Sequence, residues 1–436
     1  MAAHHETKLK TQFQNLPDGL LCIIIDYNYR ILLTLPESQL IKFDWFKLIK
    51  IKFSLTYDKG IYTNEEMMRV YFNKCGRSML IPGGSFQTIV TLSDGTLIPY
   101  GNYDDERPNS SVSTNVLNQI NKIENIMEIT HGSHVVIRLR NGTLMAAGFN
   151  SHGELGLGDE KERQTFTEIS GIKNVKKVVC GLFHTVILLT DGRLMVCGKN
   201  DFGQLGTGDS NSRNIFTEIT LLPNPVAEVV CGALHTFIVL TDGTLMSTGW
   251  NVHGQLGLGN ETTANNFTEI KGIAKNIAQI SCGGYHTIIR FTNGKLMGCG
   301  VNSYGHLALG DRRNRNIFTE IKLKGKVVDV ICGVHHTFVL LTDGRLMSCG
   351  GDGYGELGLG GDCQLELTDV PIVERNIAEL VCGYHHTLIR LTDGTLKGCG
   401  LNKCSPEYSP RKRNYSFSVI KKYSTITTMF GKFRDL

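Results

Sequence analysis

Six histidines, His134, His184, His235, His286, His336 and His386, recur at equivalent places, each with Asp or Asn seven residues later and all but His134 followed by Thr. Imidazole, carboxylate and hydroxyl together are the raw material of nucleophilic hydrolysis. Such chemistry needs one convergent constellation, so sixfold recurrence points instead to a shared packing and hydrogen-bonding duty. The 13 cysteines raise a metal-binding alternative. Cys180, Cys231, Cys282, Cys332 and Cys382 form one equivalent series, and Cys197, Cys299, Cys349 and Cys399 form another. With no C-x-x-C spacing, they read as small buried apolar groups. Glycine loops such as Gly203–Gly208 imitate a phosphate cradle, yet the loop recurs at Gly153, Gly203, Gly254, Gly305 and Gly355 and carries no Gly-Lys-Ser/Thr ending. It leads into a strand rather than a helix, which makes it a structural turn. No catalytic residue, metal or cofactor is expected, and the chain is not read as an enzyme.

The elements that position these residues are set by a period of about fifty residues. Its anchor is an Asp-Gly or Asn-Gly pair at Asp94, Asn141, Asp191, Asp242, Asn293, Asp343 and Asp393, seven copies spaced by 47 to 51 residues. Such a pair between β-rich runs marks a two-residue hairpin, because both turn positions take positive φ. Four short strands are legible per unit, and no unit holds a long amphipathic helical stretch. The expected fold is therefore all-β, a seven-bladed propeller of four-stranded blades over residues 65–436, with a small, mainly helical segment at 1–60. The glycines after cysteine, Gly181, Gly232, Gly283, Gly333 and Gly383, fall in strands expected nearest the axis. A strand-like pattern in 416–433 is expected to join the first blade and close the ring, sparing two bare edges.

Cys180–Asp209 and Cys231–Asn260 contain a Cys-Gly-x-x-His-Thr strand, an Asp-Gly hairpin and an Asn-x-x-Gly-x-Leu-Gly-x-Gly loop. This resembles the regulator of chromosome condensation repeat family, and the resemblance implies a seven-bladed propeller. The first unit departs from the pattern with GGSFQT, and neither the first nor the seventh exit has the glycine loop. Ala308 stands where the loop otherwise has Gly. Residues 1–60 weakly resemble an F-box through Leu16, Pro17, Leu20, Leu21, Trp45, Leu48 and Ile49, with Gly19 in place of the usual acidic residue. That would make Leu16, Pro17, Leu20, Leu21 and Trp45 contacts for a ubiquitin-ligase adaptor.

Charge adds candidate partner sites. The net +4 divides into +2 for residues 1–60, −4 for 61–402 and +6 for 403–436. Arg312, Arg313 and Arg315 in one loop, and Arg411, Lys412 and Arg413 in the tail, are candidate contacts for a phosphate or carboxylate surface. The polar N-terminus and the short apolar run 20–25 predict no secretory signal and no membrane span, hence an intracellular protein, cytoplasmic or nuclear. Function is expected to be a non-enzymatic scaffold that presents a propeller rim to a protein partner and recruits it to a ubiquitin ligase. Two alternatives are guanine-nucleotide exchange on a small GTPase, as the resemblance implies, and a structural or nucleic-acid-associated role through the basic tail.

Overall fold

The computed structural model describes residues 58–64, 80–81, 87–91, 97–101, 114–120, 125–372, 374–401 and 414–421, together with Asp44, Trp45, Leu48, Met67, Lys122 and Ile123. Its local rule is visible in one unit. His184–Leu189 is fully buried and rich in apolar and β-branched residues, and Thr190–Arg193 turns it back onto Leu194–Gly198. Gly192 holds φ at +88°, whereas Asp191 does not take positive φ, so only one of the two turn positions adopts the expected left-handed region; the Asp191 carboxylate accepts the Arg193 N–H at 3.1 Å. The same bond from a backbone N–H to a side-chain oxygen recurs at Asn141, Asp242, Asn293, Asp343 and Asp393. A short polar side chain thus fastens each hairpin.

Six four-stranded antiparallel sheets result. Blade I comprises Ile126–His131, His134–Leu139, Leu144–Gly148 and Arg163–Ile169. Blade II is Val175–Cys180, His184–Leu189, Leu194–Gly198 and Arg213–Glu218. Blade III is Val226–Cys231, His235–Leu240, Leu245–Gly249 and Ala264–Glu269. Blade IV is Ile277–Cys282, His286–Phe291, Leu296–Gly300 and Arg315–Ile321. Blade V is Val327–Cys332, His336–Leu341, Leu346–Gly350 and Gln364–Asp369. Blade VI is Ile377–Cys382, His386–Leu391, Leu396–Gly400 and Asn414–Lys421. First strands of neighbouring blades touch one another, and Gly232, Gly283, Gly333 and Gly383 line a central cavity with Cys231, Cys282, Cys332 and Cys382. The core lies between blades: Val186, Leu194 and Leu205 of blade II pack on Val229 and Ile238 of blade III.

Two expectations require correction. The propeller has six four-stranded blades, not seven: among the described residues the first repeat forms a three-stranded sheet, Leu80–Ile81, Gln87–Thr91 and Leu97–Gly101. A short helix, α1 (Thr114–Ile120), packs beside Leu97–Gly101 and buries Val116 and Ile120 against Ile89, Val135 and Ile137. Apolar surface that a fourth strand would cover is covered by this helix instead. The described part of the C-terminal pattern, Asn414–Lys421, does not join the first repeat, and 422–433 lie outside the described residues. Asn414–Lys421 pairs with Leu396–Gly400 as the outer strand of blade VI. Contact between the first repeat and blade VI is made by side chains, with Val90 and Tyr100 packed on Val381, Leu388, Leu396 and Ile420. Of the N-terminal segment, Trp45 and Leu48 are helical and buried. No described helix is long and apolar enough to cross a membrane.

Candidate functional site

Strand reversal sorts the connections. The first strand of each blade runs to the Cys-Gly turn, the second returns to the Asp-Gly or Asn-Gly hairpin, and the third runs back. The Cys-Gly turns and the long connections from third to fourth strand therefore share one face, here the loop face. Hairpins and blade-to-blade links share the other, the hairpin face.

Beneath the loop face the recurrent histidines clasp neighbouring blades. His184 Nε2 meets Thr236 Oγ1 at 3.1 Å, and that hydroxyl donates to the Gln204 carbonyl at 2.7 Å. Because the hydroxyl's one proton is committed, Nε2 must be the protonated nitrogen. The pattern repeats in His134–Thr185, His235–Thr287, His286–Thr337 and His336–Thr387, while His386 reaches Thr88 of the first repeat at 2.8 Å. The junction between the first repeat and blade I has neither partner, since Gln87 takes the histidine position and Val135 the threonine position. Burial holds His134, His235 and His386 down at about 3 and His184 at about 4, so these imidazoles are neutral in ordinary buffers. A Cβ on Gly181, Gly232, Gly333 or Gly383 would overlap the clasp histidine of its own blade. The Cys-Gly-x-x-His-Thr motif is thus a joint between blades, and the hydrolytic possibility is absorbed by it.

Each long loop is closed from within by one buried residue. Asn200 Oδ1 accepts the Leu205 N–H at 3.0 Å, and Nδ2 donates to the carbonyls of Asp209 and Asn211. Asn150, Asn251 and Asn302 repeat this bond to the loop leucine, and Asp352 does so in blade V. Closed this way, the loop lifts its second residue after Asn or Asp onto the face, and that residue is His152, Phe202, His253, Tyr304 or Tyr354. Rings from the Cys-Gly turns and strand ends meet them. Trp250 lies 5.2 Å from Tyr285, 5.3 Å from His253 and 5.9 Å from Phe202. Contacts continue from Tyr285 to His335 at 6.3 Å, and from His335 to Tyr384 at 5.4 Å and His385 at 5.9 Å. Phe149, His152 and Phe183 form a separate group on blades I and II. Most of these rings are half-buried, and Tyr304 is exposed. The residue after the loop's first glycine lies under them as a floor: Glu154, Gln204, Gln255, His306 and Glu356 are all buried. Glu356 accepts from His385 Nδ1 at 3.1 Å. Glu154 Oε1, Gln204 Nε2, Gln255 Nε2 and both ring nitrogens of His306 have no partner. Burial pushes Glu154 up to about 7 and holds His306 down at about 3.

The sequence-predicted residues scatter. Arg315 is bound to Asp311 at 2.7 Å, the same pairing as Arg163–Asp159 and Arg213–Asp209, so it fastens its loop. Arg312 donates to the Ser303 carbonyl at 2.8 Å and is exposed with Arg313 on the loop face. Arg411, Lys412, Arg413, Leu16, Pro17, Leu20 and Leu21 lie outside the described residues. Trp45 is fully buried, and its backbone N–H donates to Asn64 Oδ1 at 3.1 Å. Nearby, the Tyr62 hydroxyl donates to the Val327 carbonyl at 2.7 Å and the Asp58 N–H to the Thr292 carbonyl at 2.8 Å, fastening 58–62 to the hairpin face. The aromatic rim was missed by reading each unit alone. Its signal is a column, the second residue after the loop Asn or Asp, which is aromatic or His in all five loops. Among the described residues no group of His, Cys, Asp and Glu is placed to hold a metal ion.

Comparisons with known proteins bear on this architecture. A model of the regulator of chromosome condensation (RCC1) repeat matches residues 141–188, 191–239, 242–289 and 293–340, and a second model of that repeat matches 175–204, 226–255, 277–305, 327–356 and 377–405. The Ultraviolet-B receptor UVR8 of Arabidopsis thaliana is 32% identical over 187 residues, 42% of this chain and 42% of its own. The secretion-regulating guanine nucleotide exchange factor of Bos taurus is 37% identical over 91 residues, 20% of each chain. The chain thus spans under half the length of these curated relatives. Among solved structures, Prp20p from Saccharomyces cerevisiae superposes with a TM-score of 0.61 at 16% identity, covering 81% of this chain and 88% of that one. At that identity the likeness concerns the fold.

Proposed function

The chain belongs to the regulator of chromosome condensation (RCC1) repeat family, and from that premise we propose that it is a non-enzymatic protein-interaction scaffold whose partner docks on the loop face. The observation that carries this reading is the run of touching rings from Phe202 and Trp250 through Tyr285 and His335 to Tyr384. Half-buried Trp and Tyr held by their neighbours offer large contact area at little entropic cost, which is the composition of binding hot spots. Free thiols on the ten described cysteines suit a reducing, intracellular setting.

Affinity purification tests it with three proteins: the full chain, a Trp250→Ala/Tyr285→Ala variant, and an Arg193→Gln/Lys275→Gln control on the hairpin face. Partners should be retained by the control and fall at least about tenfold with the loop-face variant. Equal recovery from all three would sink the proposal. The finer reading, delivery to a ubiquitin ligase through residues 1–60, needs Trp45 to reach an adaptor, and its burial leaves Leu16, Pro17, Leu20 and Leu21 to carry that contact. A ligase adaptor recovered with the full chain and lost without residues 1–60 would support it. Nucleotide exchange rests on likeness to the bovine exchange factor, and a nucleotide-release assay over a panel of small GTPases decides it.

A further inference from the structure

Among the described residues, the two faces differ in the sign of their charge. On the loop face, the described turns 132–133, 181–183, 232–234, 283–285, 333–335 and 383–385 hold no charged residue, and the connections 149–162, 199–212, 250–263, 301–314 and 351–363 hold eleven carboxylates against four cations. On the hairpin face, the six hairpins and the links 170–174, 219–225, 270–276, 322–326 and 370–376 hold eleven cations against five carboxylates. Arg163, Arg213 and Arg315, which begin fourth strands at the edge of the loop face, are each tied to an aspartate.

We infer that the ligand of the loop face is a basic protein segment, one whose Lys and Arg side chains lie on the faces of the aromatic rings; this rests on the loop face being the docking face. Three arrangements support it. Glu160, Glu261 and Asp362 are exposed on the loop face and make no ion pair with a described residue. Beneath the rings, Glu154 is fully buried with one oxygen, Oε1, that has no partner among the described residues, and Asp352 and Glu356 lie buried together in the blade V loop. The chain also supplies its own example, since the Lys199 ammonium sits 5.7 Å from the centre of the Phe183 ring and 3.3 Å from Asp201. A ring face with a carboxylate beside it attracts a guanidinium or ammonium through both the ring quadrupole and the charge. Surplus negative charge on the same face speeds encounter with a cationic partner and repels polyanions. Arg312 and Arg313 are the local exception and oppose such a ligand over blade IV.

The test uses the full chain and short synthetic peptides of matched aromatic content, graded in net charge from strongly acidic to strongly basic. The basic end should bind at least about tenfold tighter than the neutral peptide at low ionic strength, weakening with salt. Glu160→Gln/Glu261→Gln/Asp362→Asn, three exposed changes that leave the fold intact, should lower that affinity several-fold, and Arg312→Gln/Arg313→Gln should raise it. A flat charge series, or preference for the acidic peptide, overturns the inference. If Trp250→Ala/Tyr285→Ala abolishes binding while the charge series is flat, the docking face stands and only the basic ligand fails. If basic peptides bind but ignore every loop-face variant, the docking face fails and this inference falls with it.

Discussion

The loop face and the hairpin face are made from the same repeats, yet they differ in what their glycines, charges and rings do. Hairpin-face turns are short, fastened by one Asp or Asn, and edged by exposed ion pairs such as Arg193–Asp191 and Lys275–Asp242. Exposed pairs of that kind contribute little to stability. Loop-face connections are long, yet each is closed by a buried Asn or Asp and tied through a threonine hydroxyl to the next blade. The length that permits variety on this face is therefore rigid length, and rigid variety is what a recognition surface needs. The recurrent glycines and histidines of this repeat are joints, and the rings proposed for recognition lie one or two residues away, in the positions those joints hold up.

The strongest way to break this comparison is to burden one glycine on each face. Gly283 lies at a loop-face turn where a Cβ would overlap the Gly333 carbonyl and the His286 ring, whereas Gly394 on the hairpin face has φ +87° and open space around it. Gly283→Ala should destabilise by about 3 kcal/mol or more through forced repacking of the clasp. Gly394→Ala should cost only about 1 kcal/mol, from the left-handed backbone alone. Denaturant melts of both variants measure this, and equal costs would remove the distinction between joint and turn.

A smaller effect sharpens the electrostatic half. Burial raises Glu154 to about 7, so the folded state holds a proton that the unfolded chain has released between about pH 4.5 and 7. Stability conferred on the protein by this site must fall as pH rises through that window. Glu154→Gln, which copies Gln204 and Gln255 of the neighbouring blades, should stabilise by about 1 to 3 kcal/mol at pH 8 and change little at pH 4. Identical pH profiles for the two proteins would show that Glu154 is solvated rather than buried without a partner.

The smallest effect concerns a paired departure on the loop face. Ala308 adopts φ +53°, a region that favours glycine. At the equivalent Gly156, Gly206, Gly257 and Gly358, a Cβ would overlap a phenylalanine of the next blade, Phe216, Phe267, Phe318 or Phe417. Opposite Ala308 the next blade supplies Leu367 instead, and the two face one another in the same cluster. The added methyl and the missing ring compensate. Ala308→Gly should stabilise by about 1 kcal/mol, Leu367→Phe alone should destabilise, and the double change should be better than their sum by about 1 kcal/mol. Strict additivity in a double-mutant cycle would mean that the pair is not coupled.

Much of the fold was legible because its signals are local. An Asp-Gly or Asn-Gly pair between β-rich runs specifies a hairpin wherever it stands, and a fifty-residue period places hairpins side by side. Blade completion was not legible from the same signal. A hairpin anchor reports two strands, and Gln87–Thr91 and Leu97–Gly101 belong to a sheet that α1 flanks where a fourth strand was expected. The terminal strand shows the same limit: its apolar pattern is visible in residues 416–420, but pattern alone does not choose between the first repeat and Leu396–Gly400 as its partner. Of the candidate contact residues, Arg315 looked like part of an open cationic cluster because its partner Asp311 sits four residues away and only the loop's curvature joins them.

By itself, then, the amino-acid sequence determined the repeat, its hairpins, the buried cysteine and histidine series and a nearly neutral total charge. Only the tertiary structure decided which histidine meets which threonine, where the rings assemble, and that among the described residues the charge divides into an acidic face and a basic one. The physical reason is the alternation of strands. Acidic and basic connections follow each other every few tens of residues along the chain, so they cancel in any running sum, and each reversal of the backbone carries one kind to one face and the other kind to the opposite face.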